Sequence, residues 1–147
     1  MTNINILLSV INVIAKDVPA AASQLGTLRE KIAAGIEKYD TNISGFKHFI
    51  VFSSNGKPTE FSFTLNETID IADIEKKFGS VSGNYIFRDN ITEFSYHNTT
   101  PSPIAFSFIK DNKFEKNLDG SFIETTPSGQ AKIHTNLLFD CFSIKVI

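Results

Sequence analysis

Asn55-Gly56 sits between two apolar-rich runs that alternate with polar residues, and this dipeptide constrains the fold more than any other feature of the chain. Asn and Gly both accept positive φ at low cost, so together they favour the tight two-residue turn whose twist matches paired strands. The register follows by counting. Ser54 pairs with Lys57, Ile50 with Phe61, His48 with Phe63 and Phe46 with Leu65. Paired residues share a face, so Phe46, Ile50, Phe52, Phe61, Phe63 and Leu65 are expected to be buried together, with His48 among them. The other face carries Lys47, Glu60, Ser62 and Thr64, but also Phe49 and Val51.

Helical spacing precedes this hairpin. Ile4, Leu7, Leu8, Ile11 and Ile14 form a broad apolar stripe over residues 4–16, although the β-branched content leaves a strand open. Asp17 is the expected N-cap of a second helix, with Pro19 in its first turn. Leu25, Leu28, Ile32, Ile36 and Tyr39 continue at intervals of three and four, with Arg29, Glu30, Glu37 and Lys38 mostly off the stripe. That pattern reads as one long amphipathic helix packed on its own sheet.

Beyond the hairpin, Asp70 caps a short helix with Ile71, Ile74 and Phe78 on its stripe, Asp73 near its positive end and Gly79 at its stop. Asp89-Asn90 marks a second hairpin that pairs Phe87 with Thr92 and Tyr85 with Phe94, with Tyr96 on the same face. Thr99–Pro103 is a proline-broken loop, and Ile104, Phe106 and Phe108 then alternate along Pro103–Lys110. Turns at Asp111-Asn112, Asp119-Gly120 and Pro127–Gln130 imply a meander through residues 113–118 and 121–126. Residues 131–147 exceed the usual strand length, so a bulge or break is expected near Asp140. The sum is an α+β fold over residues 1–147: N-terminal helices on a mostly antiparallel, meander-type sheet, with one short helix inserted after the first hairpin.

Length and composition bound the rest. The chain has 147 residues, 41% hydrophobic and 20% charged, which suits one domain with a substantial core. Phe occurs 14 times and Trp not at all, so that core is expected to be phenylalanine-rich. The net charge of −2, without any long block of one sign, argues against a nucleic-acid partner. The apolar stretch Ile4–Ala15 has no basic residue before it and is too short to span a bilayer, so it reads as a core helix and not as a targeting segment. The single cysteine, Cys141, excludes an intrachain disulfide and agrees with a reducing, cytoplasmic setting. Asn-x-Ser/Thr sequons at Asn42, Asn66, Asn90 and Asn98 carry little weight in a chain rich in Asn and Thr.

No motif points to chemistry. Cys141 lies in an apolar strand, where a thiol serves as a small hydrophobe unless a His activates it; His134 and His48 are the available bases. His48, His97 and His134 match no metal-ligand spacing, so neither a metal nor a cofactor is expected. Gly79–Gly83 has Val81 where a nucleophile elbow needs Ser, and it follows a helix where a dinucleotide loop follows a strand. Asp70, Asp73, Asp89, Glu93, Asp111, Glu115, Asp119 and Glu124 fall at expected caps and turns.

The expectation is therefore a non-enzymatic module that binds another protein stoichiometrically, as an inhibitor, an immunity-type protein or an assembly subunit. Its anchors would be Phe49 and Tyr96, on a sheet face or edge left open by the helices. An apolar-ligand carrier with a Phe-lined cavity is the alternative, followed by an enzyme using His and acidic side chains.

Overall fold

The computed structural model describes residues 3–81, 85–98 and 103–147. Ser82 and Gly83 of the Gly79–Gly83 connection and residues 99–102 of the Thr99–Pro103 loop lie outside them. Among the described residues there are three helices and two antiparallel sheets.

Two helices open the chain. In α1 (Ile4–Lys16) the Asn3 side chain accepts from the Asn5 amide, and Leu7, Val10, Ile11, Ile14 and Ala15 turn inward at helical spacing. In α2 (Val18–Leu25) Asp17 caps the Ala20 amide at 3.2 Å, and Pro19 occupies the first turn as expected. The helix then stops at Gly26.

The expected helical continuation to Tyr39 is instead a β-hairpin. Strand β1 (Thr27–Ala33) pairs with β2 (Ile36–Asp40) around Ala34-Gly35, where Gly35 takes φ 74°. The spacing misleads because β1 is irregular at Arg29 and again at Ile32, which disturbs its period of two. Leu28 and Ile32 accordingly sit 43% and 49% exposed on an edge strand, not on a buried helical stripe.

The Asn55-Gly56 hairpin joins β3 (Phe46–Ser54) to β4 (Lys57–Asp70), with both turn residues at positive φ. Its register differs from the simple count. Ser54 pairs with Lys57 and Ser53 with Pro58, but Phe52 then pairs with Glu60, leaving Thr59 as an extra residue. Val51 therefore faces Phe61 and Phe49 faces Phe63, both pointing inward. Ile50 and Phe52 turn to the other face. A second irregularity at Lys47 brings Phe46 back opposite Leu65, so Phe46 is buried after all.

Helix α3 (Ile71–Phe78) follows that hairpin. Asp70 caps the Ala72 amide at 2.8 Å and Gly79 ends the helix at φ 96°. The chain then crosses to the far edge as β5 (Tyr85–Arg88) and returns through β6 (Ile91–Asn98) and β7 (Ile104–Asp111). The Asp89-Asn90 hairpin has the expected register, Tyr85 to Phe94 and Phe87 to Thr92.

The expected continuous meander divides here. Strands β8 (Lys113–Lys116), β9 (Phe122–Thr125) and β10 (Ala131–His134) form a separate three-stranded sheet. The chain breaks again after His134 and re-enters the main sheet as β11 (Leu138–Val146), between β4 and β7. Its register shifts at Asp140, where a bulge was expected. The resulting order is β1-β2-β3-β4-β11-β7-β6-β5.

One row of this sheet explains the phenylalanine content. Tyr39, Phe49, Phe63, Phe142, Phe108 and Phe94 are aligned partners on six successive strands. The first four rings stand 5.0, 5.1 and 5.9 Å from one another, and Phe142 and Phe108 are 5.2 Å apart. Such contacts add about 0.5–1.5 kcal/mol each beyond apolar burial. Phe78 of α3 covers this face against Tyr96 and Phe106, and Phe114 and Phe122 of the small sheet close its end against Phe94. The inward residues of α1 and α2 belong to the same core.

Candidate functional site

The two side chains expected to anchor a partner are both in the core. Phe49 is 0% exposed, between Tyr39 and Phe63. The bulge at Thr59 turns it inward. Tyr96 is 7% exposed, and its hydroxyl donates to the Gly79 carbonyl at 3.0 Å, fixing the end of α3. Burial, and then the nearby Glu75 carboxylate, raise its pKa well above the ordinary tyrosine value. Neither residue is available as a surface anchor.

The same bulge moves His48. It pairs with Asp40 and Thr64 on the outer face and is half-buried, not placed among the inward phenylalanines. Partial burial, with Lys38 and Lys47 close by, lowers its pKa below the usual histidine value. His97 is exposed on β6.

The third histidine belongs to a polar cluster with Glu124 and Asn112. His134 Nε2 lies 2.8 Å from Glu124 Oε1, and Asn112 Nδ2 donates to Glu124 Oε2 at 2.7 Å. The residues come from β10, β9 and the turn between β7 and β8, and the His134 ring packs 5.6 Å from Phe114. Glu124 is thus a half-buried partner in mid-strand and not a turn carboxylate. Hydrogen bonds from Asn112 first and His134 second hold its carboxyl below the ordinary range.

These side chains line a cleft of ≈ 580 Å³ that also includes Lys110, Asp111, Asp140 and Cys141. A thiol, an imidazole and a carboxylate in one cleft are the ingredients of nucleophilic catalysis. The electrostatics oppose it. Burial raises the Cys141 pKa, and the Asp140 carboxylate raises it further, so the sulfur is held as thiol. The imidazole nitrogen Nε2 is engaged with Glu124, and no hydrogen bond among the described residues links His134 to Cys141. Among the described residues, no group of three or more His, Cys, Asp or Glu is arranged to hold a metal ion.

The second region lies on the sheet face away from the core. Ile36 pairs with Phe52 and Lys38 with Ile50, and the two rows continue into Glu60 and Ser62 of β4. Ile36, Ile50 and Phe52 are half-buried and stand outside the core and its packed fringe. Beyond them the face is polar. Ser62, Ser143, Ser107 and Ser95 are aligned across β4, β11, β7 and β6, with Ser95 and Ser107 bonded at 2.8 Å. Glu60 accepts from Ser143 at 3.1 Å, and Lys145 reaches Glu93 at 3.1 Å. The apolar corner is therefore bounded by a serine row. Its register could be found in the sequence only by placing the bulge at Thr59.

The sheet edges are poor templates for another strand. β1 carries Arg29, Glu30 and Lys31 and two irregularities, and β5 is four residues long. Charge, bulges and shortness are common means of blunting an edge. No helix among the described residues is long and apolar enough to cross a membrane. Comparison with known proteins adds no relative: no protein-family model, no curated protein and no solved structure matches the chain.

Proposed function

We propose that this chain is a non-enzymatic binding module that acts by stoichiometric contact with another protein, as an inhibitor, an immunity-type protein or an assembly subunit. The contact surface is the outer corner of the main sheet formed by Ile36, Ile50 and Phe52. The observation that carries this reading is that these apolar side chains stand together on the face opposite the helices and outside the core. Apolar side chains that gain nothing from their own core are the usual centre of a protein contact, with polar groups at the rim. The thiol state of Cys141 and the engagement of His134 with Glu124 favour binding over catalysis. The carrier alternative needs an apolar cavity, whereas the phenylalanine rings of the inner face fill their space against one another.

The test is capture from extracts of the native host with the wild-type chain, Phe52→Glu, and Leu118→Glu as a control at the solvent-exposed β8–β9 turn. Phe52→Glu is expected to lose the captured protein while staying folded with a modestly lowered melting point, since the new carboxylate faces Glu60. Leu118→Glu is expected to keep both capture and wild-type melting. Capture of the same protein by wild type and Phe52→Glu would overturn the reading. So would an empty wild-type capture combined with turnover or retention of a small molecule by the pure protein.

A further inference from the structure

We draw no further inference here: the strongest candidate, the polar cleft between the three-stranded sheet and β11 where Asn112, Glu124 and His134 meet, carries nothing, because those side chains are bonded to one another, its lone cysteine is held as a thiol, and nothing in the structure shows what would enter it.

Discussion

The Thr59 hydroxyl donates to the Phe52 carbonyl oxygen at 3.1 Å, across the bulge in which Thr59 has no partner on β3. This contact marks the point where the hairpin changes face. On the turn side, pairing follows the Asn55-Gly56 count. On the far side residues 48–52 of β3 are displaced by one, so Phe49 and Val51 point into the core and Ile50 and Phe52 point out, until the irregularity at Lys47 restores Phe46 opposite Leu65. A one-residue slip exchanges the two faces of a strand, and here one inserted threonine produces it.

Truncation should report that exchange directly. Phe49→Ala is expected to cost about 3–5 kcal/mol, as for a fully buried ring. Phe52→Ala should cost less, roughly 1–2 kcal/mol, because its ring is half-buried and stands outside the core. Phe61→Ala should resemble Phe49→Ala, and Ser62→Ala should be nearly silent. Urea titrations of the four variants would measure this, and equal losses for Phe49 and Phe52 would refute the bulged register.

Local sequence signals match the structure where one short segment decides the outcome. Asp70 and Gly79 bracket α3, Asp17 caps α2, and Asp89-Asn90 sets its hairpin without a bulge. The misreadings arise where a period is interrupted. Leu28, Ile32 and Ile36 fit a helix, yet two irregularities in an exposed strand give the same spacing, and Gly26 and Gly35 were the better guides. The Asn112–Glu124–His134 cluster was beyond reach for another reason. Turn and alternation signals place Asn112 in a turn and Glu124 and His134 in strands but contain nothing about β8–β10 leaving the main sheet, which is what brings the three together.

Gly26 is required by space and not by backbone conformation. Its φ of −173° suits any residue, but a methyl group there would run into the Asp40 carbonyl oxygen and lie 3.0 Å from the Phe49 ring. Backbone and core must shift together, so Gly26→Ala is expected to cost about 1–3 kcal/mol. Gly56→Ala offers the contrast. No atom lies within 4 Å of its added methyl, and only the φ of 76° is unfavourable, at about 1 kcal/mol. Denaturant midpoints compare them, and a silent Gly26→Ala would show that the α2–β1 junction is looser than described.

Cys141 should react slowly with an alkylating reagent at neutral pH. Burial and the Asp140 carboxylate both raise its pKa, and only the thiolate attacks. Labelling should accelerate strongly in urea. Asp140→Asn should also accelerate it in the folded state, by removing the adjacent negative charge. Equal rates for folded and unfolded chain would revive Cys141 as a nucleophile.

Glu124 should make the fold acid-sensitive. Its carboxyl titrates below the ordinary range because Asn112, and then His134, hydrogen-bond to the ionised form. The unfolded chain takes up the Glu124 proton at a higher pH, near the ordinary value of about 4.3. Between the unfolded and folded pKa values the unfolded state binds more protons, so stability rises with pH across that window. The contribution is complete above the unfolded value and is lost as pH falls through the folded one. Glu124→Gln keeps the shape and removes the charge. It is expected to be less stable than wild type by about 1 kcal/mol at neutral pH, and the gap should close as the solution is acidified through the carboxylate range. Asn112→Ala, which removes the largest contributor, should shift the same limb in the same direction. Chemical denaturation repeated from about pH 3 to about pH 7 measures both, and a gap that stays constant over that interval would mean that Glu124 is not held ionised by these partners.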